Sequence, residues 1–327
     1  MRIIGRKPES VTASKRPKRL RSIAFLPSLF TLANLFCGFG AIHFGLQAMQ
    51  AFGEGVPAAQ DLTGNSTLLD RMLPSFLSVG AGLIIIGMIF DLFDGLLARM
   101  TRMTTNFGGQ LDSLADVVTC GVAPAVLLIV LMMQELHREP FSISPVSEHI
   151  MGRLIWVSAG VYLACAAVRL ARFNVEHAEV GYNHQRFRGL PSPGAAGIIA
   201  AFLIFQEQAR EYGVRLPGDI VMRAIPPEFV AYFAPLLAIA VSLLMVSRVP
   251  YGKVTAVLRG RRPFGQLILV ILLFAVFWSF KTLFVLVFAA GYVLSGPVLL
   301  IVKRFRGRPV SSPIIEPEED ERDVRTG

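Results

Sequence analysis

Long apolar runs constrain this chain more than any other feature. At 1.5 Å of rise per residue, a helix needs about 20 mostly apolar residues to cross roughly 30 Å of hydrocarbon. Only helices and closed barrels satisfy their backbone polar groups there. About eight such runs occur, near residues 23–49, 75–98, 109–133, 152–173, 192–206, 228–247, 264–279 and 282–302. The fifth and seventh are short, and the "WSFK" turn between the last two also permits one bent hairpin. With 53% hydrophobic and 17% charged residues among 327, and a mean hydropathy of +0.56, the chain lies outside the range of soluble domains. The expected fold class is all-α: a polytopic transmembrane helix bundle of about eight spans.

Charge sorts along these runs. Lys and Arg crowd the N-terminal arm (Arg2, Arg6, Lys7, Lys15, Arg16, Lys18, Arg19, Arg21) and return after the second, fourth, sixth and last spans, for example at Arg99, Arg102, Arg186, Arg188, Arg259 and Lys303. The alternate loops, near 50–74, 134–151 and 207–227, are mixed or acidic. The positive-inside rule then puts both termini in the cytoplasm. The implied layout is a basic juxtamembrane arm at 1–22, a membrane core at 23–255, an additional hairpin at 256–302 and a disordered acidic tail at 303–327. The first span is expected to be retained, because it is too long for a signal h-region and lacks a small-residue cleavage site. The net charge of +9 sits in short juxtamembrane clusters, which suit anionic headgroups rather than nucleic acid. Cys37, Cys120 and Cys165 each stand alone in apolar sequence and read as packing residues.

Against this background one stretch is anomalous. "DLFDGLLARMTRMTTNFGGQLDSLAD", residues 91–116, puts four aspartates at the ends of the second and third spans, on the side assigned to the cytoplasm. An unpaired Asp at a helix centre costs about 2.5–3.5 kcal/mol to insert, less near the interface. Asp91 and Asp94 are three apart, about 60° from each other around a helix, and Asp112 and Asp116 are four apart, about 40° from each other. The polar segment "MTRMTTNFG" between them, ending in Gly108 and Gly109, suits a reversal between antiparallel helices. Carboxylates converging from two helices offer hard oxygen ligands for Mg²⁺ or Mn²⁺, with too little His or Cys nearby for zinc. Two such ions can clamp a diphosphate. Gly95 leaves room for a close approach, Arg99 offers a fork-shaped phosphate donor and Thr105 a hydroxyl, although helix packing, cytoplasmic anchoring and turn chemistry account for each taken singly.

Taken together, the string D-x-x-D-G-x-x-A-R-x8-G-x3-D-x3-D, at Asp91, Asp94, Gly95, Ala98, Arg99, Gly108, Asp112 and Asp116, resembles the signature of the CDP-alcohol phosphatidyltransferase family without a departure. The resemblance implies a metal-dependent displacement in which an alcohol attacks the lipid-side phosphorus and CMP leaves. It implies that Asp91, Asp94, Asp112 and Asp116 hold metal, that Asp116 is also the catalytic base, and that Gly95, Arg99, Thr105 and Gly108 contact the CDP part of CDP-diacylglycerol. Further stretches resemble one branch of that family, the integral-membrane phosphatidylserine synthases of bacteria and archaea: "LPSLFTLANLFCGFGAI", "VRLARFN", "FRGLPSPGAAG" and "LMVSRVPY". Thr31 and Asn34 match as CDP-diacylglycerol contacts, whereas Ser28 stands where many relatives have Asn. The branch implies L-serine as acceptor, membrane lipids and a second copy of the chain as partners, and a cytoplasm-facing site in the cell membrane.

Physical chemistry offers a place for a serine carboxylate. Arg169 and Arg172 are three apart at the cytoplasmic end of the fourth span, with Asn174 just beyond, although positive-inside anchoring accounts for either arginine as well. His43, His177 and His184 lack any metal-spaced or triad-like partner. Three other readings remain open: a glycerol-phosphate or inositol-phosphate acceptor, an intramembrane prenyltransferase with two Asp-rich helices, and a divalent-cation transporter.

Overall fold

The apolar runs fold as helices because backbone donors and acceptors must pair within each segment once water is excluded. The computed structural model describes residues 25–54, 73–101, 106–136, 150–179, 189–216, 220–222, 225–247 and 285–302, together with residues 146, 249, 251, 283 and 305. In chain order these form α1 (Phe25–Gly53), α2 (Phe76–Thr101) and α3 (Asn106–Asp116), a π-helical segment (Val117–Val122), then α4 (Ala123–Glu135), α5 (Ile150–Glu179) and α6 (Ser192–Tyr212). A small antiparallel hairpin follows, β1 (Val214–Leu216) on β2 (Ile220–Met222), then α7 (Pro227–Val246) and α8 (Val285–Val302).

Among the described residues, six helical segments are long and apolar enough to cross a membrane: Ser28–Gly53, Phe76–Leu97, Phe107–Glu135, Ile150–Val175, Pro227–Val246 and Val285–Val302. The protein is an all-α, multi-pass membrane bundle. The fifth expected span is α6, whose last turns exchange apolar residues for Gln206, Glu207 and Arg210. The expected span at 264–279, the arm at 1–22 and, Phe305 apart, the tail at 303–327 lie outside the described residues. One boundary is corrected: Gly108 and Gly109 do not form the reversal after α2 but lie inside α3, which begins at Asn106.

The bundle is organised around α4. Its Leu127, Leu128, Val130, Leu131, Met132 and Met133 are all buried, the pattern of a helix with neighbours on every side. Around it, α1 lies along α2, α6 along α2, and α5 along α7. The π-helical segment joins α3 to α4 without a break, and Pro124 in the first turn of α4 explains part of its shape. Proline has no N–H, so it cannot donate to the carbonyl of Cys120 four residues earlier. That carbonyl accepts instead from the buried Tyr162 hydroxyl of α5, at 2.7 Å.

The two ends of the bundle differ chemically. At one end, Gln206 donates to Glu135 at 3.0 Å and exchanges hydrogen bonds with the backbone of Ile225, while Arg210 pairs with Glu135 and with Glu207. This buried network fastens the ends of α4 and α6 to the hairpin connection. At the other end, Gly189 has φ +83° and donates to the Val249 carbonyl at 2.8 Å. A Cβ there would come within 2.4 Å of the Met245 carbonyl oxygen, so glycine is required for the chain to enter α6 beside the end of α7.

The Tyr162 bond yields a test by double-mutant cycle. Tyr162→Phe removes this hydrogen bond and should cost about 0.5–1.5 kcal/mol in thermal unfolding of the detergent-solubilised protein. Pro124→Ala restores a backbone donor, so the same substitution in that background should cost measurably less. Equal losses in both backgrounds would contradict this role for Tyr162.

Candidate active site

Four helices bring polar side chains to the end opposite the Glu135 network. Asp91 and Asp94 come from the last turns of α2, Asp112 and Asp116 from α3, Thr31 and Asn34 from the start of α1, and Arg169 and Asn174 from the end of α5. Carboxylate oxygens of Asp91, Asp112 and Asp116 lie within 4.8 Å of one another. Asp94, one turn of α2 beyond Asp91, is held by Thr31 of α1. Asp94 and Asp116 are buried, while Asp91 and Asp112 are half-buried.

Thr31 and Asn34 occupy one face of α1 because they are three residues apart. The Thr31 hydroxyl donates to Asp94 Oδ2 at 2.9 Å, and Asn34 Nδ2 donates to Asp116 Oδ1 at 3.1 Å. Each aimed carboxylate therefore has a neutral donor fixing its orientation. Asn34 is fixed in turn, since Thr119 of the π-helical segment donates to its backbone carbonyl at 3.0 Å. Gly87 of α2 packs at the same point: a Cβ there would lie 2.7 Å from Thr119 Cγ2 and 2.8 Å from Asn34 Oδ1.

Such a cluster repels itself. Two unit charges 4.8 Å apart repel by about 3.5 kcal/mol at an effective dielectric of about 20. Three mutually close carboxylates thus call for cationic compensation. Asp112 Oδ1 is also buried with no hydrogen-bond partner among the described residues, which leaves lone pairs open within a set of hard oxygens. Those features fit a divalent cation of the Mg²⁺ class.

Arg169 supplies a positive charge from the side. Its guanidinium donates from Nη1 to Ser192 Oγ at 2.6 Å. Its Nε is buried without a partner among the described residues. One helical turn on, Arg172 is exposed. Asn174 donates from Nδ2 to Ser113 Oγ at 2.8 Å, which ties the end of α5 to the residue after Asp112.

The structure brings the four aspartates, Thr31, Asn34, Arg169 and Asn174 to one end of the bundle. Gly95 is half-buried, and a Cβ there would meet nothing within 4 Å, so no neighbouring helix needs a glycine and the surface beside Asp94 is open. Gly108 lies in the first turn of α3. The Arg99 side chain and Thr105 lie outside the described residues. Gly87, Ser113, Thr119 and Ser192 escaped the sequence reading. A serine or glycine in an apolar helix gives no sign of its partner until the helices are packed.

Comparison with known proteins agrees with this geometry. The sequence model of the CDP-alcohol phosphatidyltransferase family matches residues 24–225, and the chain belongs to that family. It is 30% identical over 210 residues to a CDP-diacylglycerol–serine O-phosphatidyltransferase of Methanocaldococcus jannaschii, covering 64% of this chain and 78% of that one. A protein of the same name from Mycobacterium leprae is 27% identical over 264 residues, covering 74% and 73%. Another from Bacillus subtilis is 30% identical over 181 residues, covering 55% and 76%.

The tight crossing at Gly87 can be tested directly. Gly87→Ala should push Asn34 away from Asp116 and lower CMP release from a CDP-alcohol by about tenfold, or 1.4 kcal/mol in barrier, with membrane insertion retained. Unaltered turnover would show that the α1–α2 spacing relaxes without disturbing the site.

Proposed function

We propose that this protein transfers the phosphatidyl group of CDP-diacylglycerol to L-serine, forming phosphatidylserine and CMP, at the cytoplasmic face of the cell membrane. The observation that carries the reading is the Asp91–Asp112–Asp116 cluster at the same end of the bundle as Arg169, whose guanidinium is held by Ser192. The first is chemistry for a diphosphate, and the second is a receptor for an acceptor that carries a carboxylate. The printed names of the three relatives support serine in particular.

Asp91, Asp94, Asp112 and Asp116 would hold divalent metal, Mg²⁺ or Mn²⁺ and two ions in our reading. When bound, such ions neutralise the diphosphate and the charge that develops on the leaving CMP. The protein's own groups do the rest. Thr31 and Asn34 keep the carboxylates aimed, and with Gly95, Arg99, Thr105 and Gly108 they form the CDP-diacylglycerol side of the site. Arg169, Arg172 and Asn174 receive the serine carboxylate from the α5 side, which turns the hydroxyl towards Asp116. Asp116 takes the hydroxyl proton as the oxygen attacks the lipid-side phosphorus. The bond from that phosphorus to the CMP oxygen breaks, and the diacylglycerol part stays in the bilayer.

The positive-inside pattern of the sequence supports a cytoplasmic site, since α1 begins and α2 and α5 end on the aspartate side, next in sequence to the basic stretches. Membrane lipids surround the protein, and a homodimer is the assembly we assign to it. No nucleic-acid partner enters this reading.

The deciding experiment measures CMP release from CDP-diacylglycerol with serine, glycerol phosphate or inositol phosphate, using wild type and Asp116→Asn. Serine should support turnover. The variant should lose about 10²–10⁴ in kcat, the range of a positioned general base. Its CDP-diacylglycerol affinity should stay within about tenfold. Turnover with a phosphorylated acceptor but not with serine would overturn the acceptor. Joint loss of CDP-diacylglycerol and metal binding in Asp116→Asn would make Asp116 chiefly a ligand.

A further inference from the structure

Helix α8 lies beyond the residues matched by the family, yet it packs against the wall of the acceptor side. Its Tyr292 ring covers Gly194 in the first turn of α6, where a Cβ would come within 2.7 Å of Tyr292 Cε1. Two residues earlier on that turn, Ser192 holds the Arg169 guanidinium. The position of Tyr292 is set by Tyr251, whose ring lies 5.9 Å away and whose hydroxyl donates to the Val293 carbonyl at 2.9 Å. Gly296 admits the Tyr251 ring, since a Cβ there would approach its Cζ to 2.5 Å.

These contacts form a continuous line from the segment after α7, through α8, to the first turn of α6 and the guanidinium. A helix added only for anchoring needs no such fit of two tyrosines onto two glycines. We propose that Tyr292 is a positioning residue for the acceptor: α8 sets its ring on the first turn of α6 and so fixes Ser192, which holds the guanidinium that selects a carboxylate-bearing alcohol. Arg169 has several rotatable bonds and is held at Ser192, so a rigid first turn of α6 narrows the positions its guanidinium can take. The inference rests on the proposed serine acceptor and adds to it a selectivity element from outside the family core.

The test is steady-state kinetics on the full-length protein with serine and with serinol, which keeps the amine and hydroxyl but has no carboxylate. Tyr292→Ala should raise the serine KM by about tenfold, leave the CDP-diacylglycerol KM within about twofold, and shrink the preference for serine over serinol. Tyr292→Phe, which keeps the ring, should stay close to wild type. Gly194→Ala, which displaces the ring, should reproduce the serine effect even if Tyr292→Ala folds poorly. An unchanged serine KM in Gly194→Ala, or in a folded Tyr292→Ala, would overturn the proposal. So would a parallel rise in both substrates' KM, or an unchanged serine-to-serinol preference. Wild-type protein that does not use serine at all would instead overturn the acceptor assignment, before any variant is compared.

Discussion

Mutual repulsion among carboxylates is the constraint on which the rest of this structure depends. Asp91, Asp112 and Asp116 are held within 4.8 Å at the end of an apolar bundle, where solvent screens them poorly. Left alone, α2 and α3 would gain by moving apart. They are kept together by α1, against which both pack, and by the π-helical segment that continues α3 and also meets α2, so a charged site is built in advance of its substrate. The neutral donors on α1 fit this logic. Thr31 and Asn34 orient Asp94 and Asp116 without cancelling the charge that a divalent cation would need.

Precision at the site is inherited from helix spacing. Gly87 lets α2 approach Asn34 and Thr119 more closely than any other residue would. The π-helical segment sets the turn from the Asp116 helix into the central helix, and the Tyr162 hydroxyl satisfies the carbonyl that Pro124 cannot. At the far end, the Arg210, Glu135 and Gln206 network fastens α4 and α6. A buried ion pair of this kind is a weak source of net stability, but it penalises any register in which its partners are separated.

Much of this was legible in the sequence, for identifiable reasons. Span positions follow from apolar length, and the pairing of Asp91 with Asp94 and of Asp112 with Asp116 on helix faces follows from their spacing. Local rules gave less at the reversal, where Gly108 and Gly109 read as turn residues but lie within α3. The polar stretch from Asn106 is helical and runs without a break into Asp112 and Asp116. Long-range partners were invisible. Nothing in "GLPSPGAAG" shows that Ser192 receives Arg169 or that Gly194 lies under Tyr292, because both facts arise from packing between segments about 20 and about 100 residues apart.

Thermal unfolding of the purified protein across a Mn²⁺ titration from an EDTA-treated start, in parallel with Asp112→Asn, tests the central claim most directly. A cation bound by the folded carboxylate cluster should raise the wild-type Tm progressively with metal concentration, as any ligand of the native state does. Most of that rise should vanish in Asp112→Asn. A wild-type Tm that does not respond to saturating Mn²⁺ or Mg²⁺, or an equal rise in the variant, would contradict a metal site built from these aspartates.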